Sequence, residues 1–299
     1  MEHFKTTQKE TIVSTCRLLG VSRQVYYRAK HNSLVRQQRA EEVVKLIQSV
    51  RVRMPRLGGR KLYKVLYEPL RELHVGRDKL FAILNANHMS IKPLRSYRTT
   101  TNSHHRFRKH KNLVAEMAIT RPEQVWVSDI TYIGNRGNHH YLSLITDAYS
   151  KKIVGYNLSD NLSVEGALDA LKKAIKKRSY KKEPLIHHSD RGIQYCSNRY
   201  QKQLNKSNIL TSMTESYDPY ANAIAERVNG IIKGEFELEK YAHNSEVLKV
   251  LVAESIQAYN QLRPHYSCSM LTPEQMHKQR KIRIKRYSKK LVPKGTLGD

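Results

Sequence analysis

Acidic side chains are scarce in this chain. Only 26 Asp and Glu stand against 54 Lys and Arg in 299 residues, a formal net charge of +28 and a sequence pI near 10.0. An excess this large works against a compact fold through self-repulsion, so it calls for a polyanionic partner and not merely a solvated basic surface. Long apolar runs are also missing. None reaches the roughly 18 residues that a membrane span needs, so no membrane partner is expected. Cysteine is limited to Cys16, Cys196 and Cys268, which are far apart and contain no C-x-x-C pair. That pattern excludes a disulfide framework and a zinc knuckle, and it fits a reducing compartment. Met1-Glu2-His3-Phe4-Lys5 has neither the apolar core nor the cleavage site of a secretory signal, which points to the cytoplasm. The partner expected is nucleic acid.

The first 92 residues read as an all-α, helix-turn-helix-like region. Ile12, Val13, Cys16 and Leu19 form an apolar stripe, Gly20 can end that helix, and Ser22 can cap the next. The second helix, Ser22 to Arg28, has the size of a recognition helix and carries Arg23 and Gln24 near its start, where base edges are usually read. An ordinary helical hairpin is the competing reading. A separate amphipathic helix is expected from about 36 to 53, followed after Pro55 and Gly58-Gly59 by helices over Arg60 to Leu66 and Arg77 to Leu84. Their Arg and Lys side chains suit phosphate contacts better than base contacts. Residues 93–119 then change character. His104, His105, Arg106, Arg108, Lys109, His110 and Lys111 make a basic linker, and their spacing fits no zinc pattern.

The second domain is expected over residues 120–277. Val125 to Ile133, His140 to Asp147 and Lys152 to Leu158 are three strand-like runs, with turn signals between them. A helix (Ser163 to Lys177), a strand (Leu185 to His188), a helix (Asn198 to Lys206), a strand (Ile209 to Met213) and a long helix (Asn222 to about Tyr241) follow. This is the order of an α/β, ribonuclease-H-like mixed sheet with flanking helices. A last helix, Ser245 to Leu262, precedes a basic tail over 278–299 that suits a phosphate backbone.

In that order three carboxylates can converge. Asp129 falls mid-strand, where Asp is disfavoured by propensity. Asp190 falls at the end of the fourth strand and Glu226 in the first turns of the helix after the fifth, where ligand sites of open α/β sheets lie. Asp190 alone could be a turn residue, and Glu226 alone a solvated helical acid. Helical spacing adds weight, because Asn222, Glu226, Asn229 and Lys233 share one polar stripe while Ile224, Val228, Ile231 and Ile232 share the other side. Hard cations such as Mg²⁺ take carboxylate oxygens plus substrate phosphates. A metal pair held this way can cut and join phosphodiesters without a covalent enzyme intermediate.

Three stretches carry a resemblance: Trp126-Val127-Ser128-Asp129-Ile130-Thr131-Tyr132, His188-Ser189-Asp190-Arg191-Gly192-Ile193-Gln194-Tyr195, and Asn222-Ala223-Ile224-Ala225-Glu226-Arg227 with Lys233. Thirty-five residues separate Asp190 from Glu226. Tyr259-Asn260, Arg263-Pro264-His265 and Leu271-Thr272-Pro273 extend it, as do Cys16 to Ser22 and Tyr26-Tyr27 at the front. The chain resembles the second-frame, DDE-type transposases of the insertion-sequence-three family, whose catalytic core is integrase-like. The resemblance implies Asp129, Asp190 and Glu226 as the catalytic and metal-holding triad, with Mg²⁺ or Mn²⁺, as a pair of ions, for cofactor. It implies Lys233, Asn222 and Arg263 near DNA. It also implies insertion-sequence terminal repeats and target DNA as partners, a first-frame helix-turn-helix protein or frameshift fusion, a homo-oligomer on DNA, and association with the nucleoid. Where many relatives read Asp-Asn-Ala, this chain has Asp218-Pro219-Tyr220-Ala221-Asn222-Ala223, so the place of Asp218 relative to the site stays open. Two other classes compete: a DNA-binding regulator with a decayed catalytic fold, and a nuclease that hydrolyses but never joins.

Overall fold

The computed structural model describes residues 11–92, 110–115, 117–135, 138–214 and 223–279. The chain divides into two compact units, residues 1–52 with 57–92, and residues 53–56 with 93–299.

The first unit is helical. Helix α1 (Ile12–Leu18) is capped by Thr11, whose side chain accepts from the Ser14 amide, and Gly20 takes the left-handed φ of +65° that ends it. Ser22 Oγ then accepts from the Val25 amide at 3.3 Å. The helix that follows departs from the sequence expectation. Instead of two helices, α2 runs unbroken from Arg23 to Arg53, 31 residues. No Gly or Pro occurs in that stretch, and His31-Asn32-Ser33 is not enough to stop a helix already propagating. Only Val43 and Ile47 of α2 are buried, both in its C-terminal half, and α3 (Gly59–Val65), α4 (Tyr67–Glu72) and α5 (Arg77–Ala86) complete the unit. Ile47, Leu57, Leu62, Leu70 and Leu80 form the centre of this core. A Cβ at Gly59 would lie 3.0 Å from the Phe81 ring, so glycine lets α3 approach α5. Arg23 and Gln24 lie in the first turn of α2 and point to solvent.

The second unit is built on five strands: β1 (Val125–Asn135), β2 (Asn138–Asp147), β3 (Ile153–Ser159), β4 (Leu185–Ser189) and β5 (Ile209–Met213). Their order is β3-β2-β1-β4-β5; the first three pair antiparallel, whereas β4 joins β1 and β5 joins β4 in parallel. This is a ribonuclease-H-like mixed sheet. Alternation along β1 sends its side chains to two faces. One face carries Trp126 and Ile130, which pack with Leu168, Leu171 and Ala174 of α6 (Val164–Lys176) and with Tyr200 and Leu204 of α8 (Asn198–Lys206). Between them lies a short helix, α7 (Ile193–Cys196), that local pattern did not indicate. The other face carries Val125 and Val127, which pack with Ala225 and Ile224 of α9 (Ala223–Glu235). The sheet and α6 touch closely at Gly155, where a Cβ would fall 2.3 Å from the Ala170 carbonyl.

Helix α9 is shorter than the sequence suggested. It stops at Glu235, Glu237 turns left-handed (φ +54°), and a 3-10 turn takes Leu238–Tyr241. Phe236 and Leu238 are buried, so packing breaks the helix that propensity would continue. Helix α10 (Ser245–Gln261) starts at an Asn244 cap, and α11 (Pro273–His277) starts with a capping box between Thr272 and Gln275. Among the described residues no helix is long and apolar enough to cross a membrane. The linker of 93–109, Asp218 and Asn222, and the tail beyond 279 lie outside the described residues.

Candidate active site

Parallel pairing of β1 with β4 sets Ser128 opposite Ser189. The next residue on each strand is an acid, so Asp129 and Asp190 stand side by side where β4 ends. Asp190 Oδ1 accepts the Gly192 amide at 3.0 Å, which folds the chain away from the strand into α7. A Cβ at Gly192 would itself lie 3.0 Å from that oxygen, so a side chain there would crowd the carboxylate. Asp129 is half-buried and held at both oxygens: Oδ1 accepts the Ile130 amide at 2.9 Å, and Oδ2 accepts Nδ2 of Asn229 at 2.8 Å. Burial, followed by the negative charge of Asp190, pushes the Asp129 carboxyl up to about 7; the Asn229 and Ile130 donors oppose this, and Glu226 adds to it. The three acids therefore form one electrostatic site. Glu226 itself is exposed, in the first turn of α9.

Beneath the Asp pair lies a buried polar floor. His187 Nε2 sits 2.7 Å from Ser128 Oγ and 2.9 Å from the Tyr200 hydroxyl. Burial drives His187 down to about 3, so the ring stays uncharged at neutral pH. Tyr195 completes the floor edge-on to Tyr200, ring centroids 5.4 Å apart. Burial raises its hydroxyl well above the ordinary range, with added contributions from Tyr200, Asp129 and Asp190. None of these groups is poised to trade protons near neutral pH.

Two residues expected at DNA have partners in the protein. Lys233 Nζ lies 4.5 Å from the centroid of the Tyr132 ring and 3.3 Å from Glu239 Oε1. Arg263 is a correction. It is 1% exposed and donates from Nε and Nη2 to both oxygens of Glu235, at 2.7 and 2.6 Å. A buried guanidinium needs such a bidentate partner, and Arg263 fastens the loop after α10 to the end of α9. The neighbouring residues are structural too, since the Asn260 amide pairs with both the N–H and C=O of Ile153, each at 2.9 Å. Another network escaped the sequence reading. Buried Glu123, Asp147, Ser150 and His277 join the start of β1, the end of β2 and α11.

Among the described residues no three His, Cys, Asp or Glu side chains gather closely enough to hold a metal ion. The donors still suit a hard divalent cation. Two carboxylates stand side by side where β4 ends against β1, their mutual repulsion is of the kind that a cation relieves, and buried Asn229 Oδ1 has no partner.

An integrase core domain family model matches residues 119–219, and a second integrase core model matches 207–273. An insertion element IS600 protein of Shigella sonnei, described as an uncharacterized 31 kDa protein, is 34% identical over 86% of this chain and 95% of its own length. The transposase InsF for insertion sequence IS3A of Escherichia coli (strain K12) is 34% identical over 155 residues. The chain belongs to the IS3 family of DDE transposases. A putative transposase of insertion sequence element IS986/IS6110 from Mycobacterium tuberculosis is 30% identical over 160 residues. This IS3-family chain aligns with only 54% and 58% of the length of those two transposases. Among solved structures, the HTLV-2 integrase catalytic core domain in complex with magnesium matches 52% of this chain and 97% of its own, at 23% identity and a TM-score of 0.42. A simian T-cell lymphotropic virus intasome structure matches 74% of this chain and 75% of its own, at 19% identity and a TM-score of 0.46.

Proposed function

We propose that this chain cuts DNA at the ends of an insertion sequence and joins the freed strands to target DNA, with Asp129, Asp190 and Glu226 as its catalytic carboxylates. The observation that carries the reading is the β1–β4 register, which sets Asp129 beside Asp190 under the helix that bears Glu226 and Asn229.

The three acids would hold a pair of Mg²⁺ or Mn²⁺ ions. When bound, such ions activate the attacking water or 3′-hydroxyl and stabilise the leaving oxygen. The chain's own task is placement. The Gly192 amide orients Asp190, and the Asn229 amide orients Asp129. The floor of Ser128, His187 and Tyr200 fixes the strand ends without offering a competing proton donor. A bound cation would favour the ionised form of Asp129, which burial and the neighbouring Asp190 charge oppose in the metal-free protein. Lys233, on the same helix as Glu226, supplies positive charge for a phosphate.

In this reading residues 1–92 bind DNA, with Arg23 and Gln24 exposed at the start of α2, and the basic segments 93–119 and 278–299 track the backbone around the 120–277 core. The protein acts as a homo-oligomer on paired ends, with a first-frame helix-turn-helix protein, separate or fused, supplying end recognition.

The test is strand transfer on labelled terminal-repeat DNA with Mg²⁺, comparing the chain and its frameshift fusion with their Glu226→Gln variants. A joined product from the unsubstituted protein alone supports the proposal. Cleavage without joining would indicate a nuclease. Tight binding with no metal-dependent product from either form would indicate a regulator.

A further inference from the structure

Lys233 lies four residues beyond Asn229 on α9, about 6 Å further along the helix axis, and Tyr132 lies three residues beyond Asp129 on β1. The Lys233 ammonium thus sits on the helix and strand that also carry Asn229 and Asp129, and two groups hold it there. The Tyr132 ring lies beneath it at 4.5 Å, and Glu239 Oε1 faces it at 3.3 Å. The two contacts differ in kind. The Lys233 side chain is only 18% exposed, whereas that of Glu239 is 52% exposed. A cation over an aromatic face keeps that contact while its other hydrogens bind elsewhere, but an ion pair open to water contributes little.

Glu239 is not a random neighbour. It sits in the 3-10 turn created by the break after α9, directly after buried Leu238. The adjacent Glu237 is paired with Lys240 at 2.7 Å and does not share the role. A DNA phosphate presents the same charge and the same acceptor chemistry as the Glu239 carboxylate, and its binding also releases counterions. Taking the Lys233 ammonium on its Tyr132 face as the phosphate subsite of the reading above, we propose that Glu239 is its built-in competitor, displaced when DNA arrives. The consequence is specificity. Glu239 weakens capture of any passing duplex, so the subsite fills only when contacts elsewhere hold the strand at the carboxylates. This rests on the reading of the chain as a DNA transposase.

The experiment measures binding of the full chain to a fluorescent terminal-repeat duplex and to an unrelated duplex, without divalent metal. It compares the unsubstituted protein, Glu239→Gln, Lys233→Met and the double variant. Methionine keeps an apolar stem over Tyr132 while removing the charge. The expected result is tightening by Glu239→Gln of about two- to fivefold, larger on the unrelated duplex, and no tightening in the Lys233→Met background. Equal tightening in both backgrounds would reduce Glu239 to general repulsion and overturn the subsite, as would no tightening at all. Binding of neither duplex by the unsubstituted chain or by its frameshift fusion would overturn the transposase reading as well, a result distinct from loss of coupling in a protein that binds DNA. Thermal midpoints of all four proteins show whether each remains folded.

Discussion

Asn229 donates from Nδ2 to Oδ2 of Asp129 at 2.8 Å, and its own Oδ1 is buried with no hydrogen-bond partner. The amide is therefore committed to the carboxylate through one end only. Asn229→Ala should lower the apparent Mg²⁺ affinity of strand transfer by about 10- to 100-fold, the usual cost of losing an outer partner of a metal ligand, while DNA affinity without metal stays level. A titration of rate against Mg²⁺ decides it, and an unchanged half-saturation point would remove Asn229 from the site.

Asp129→Asn, Asp190→Asn and Glu226→Gln should each abolish joining and leave DNA affinity within about twofold, since each removes a metal ligand and no phosphate contact. Binding and strand transfer on the same labelled DNA compare the two. Affinity falling in step with activity would count against the triad.

The same Asp129 carries a stability cost. Its folded pKa of about 7 stands above the ordinary carboxylate value of 3.8, so the metal-free protein loses stability as pH rises between those values and retains the full penalty above 7. Asp129→Asn removes the charge yet can still accept from Asn229. It should stabilise the metal-free protein at pH 8 by about 1–2 kcal/mol and have almost no effect near pH 4. Thermal unfolding with chelator at both pH values tests this, and equal midpoints at pH 8 would refute it.

Arg263 separates a structural role from a DNA-binding one. Breaking its buried pair with Glu235 should destabilise the fold by about 3 kcal/mol in Arg263→Ala. DNA affinity of the protein that remains folded should be unaltered. A stable variant with weakened DNA binding would reverse the assignment.

His277 gives a pH signature at the C-terminal end. Burial pulls its pKa down, but hydrogen bonds to Asp147 and Glu123 outweigh burial and raise it above 6.5. A raised imidazole contributes stability that is fully present below the unfolded value of about 6.5 and is lost as pH rises through the folded value. The thermal midpoint of the unsubstituted protein should therefore exceed that of His277→Gln most at pH 6, with the gap narrowing toward pH 9. A gap that widens with pH would contradict the network.

Sequence alone determined the elements whose signals are local. Strand-like runs bounded by turn signals marked the five strands, and helical spacing on α9 put Glu226, Asn229 and Lys233 on one stripe. The three motifs marked Asp129, Asp190 and Glu226 as candidates. Local signals misled where packing overrides propensity. Nothing in 23–53 marks one long helix over two shorter ones except the lack of a breaker, and buried Phe236 and Leu238 end α9 where its sequence would let it continue. Arg263 beside Pro264 carries the same charge whether it faces DNA or Glu235. Only the tertiary structure decided that, along with the pairing of Ser128 with Ser189, the grip of Asn229 on Asp129, and the meeting of Glu239 with Lys233. Each of these joins residues distant in the chain or separated by a turn whose geometry depends on the core. Periodicity records which side of an element is buried, but not which partner lies across from it.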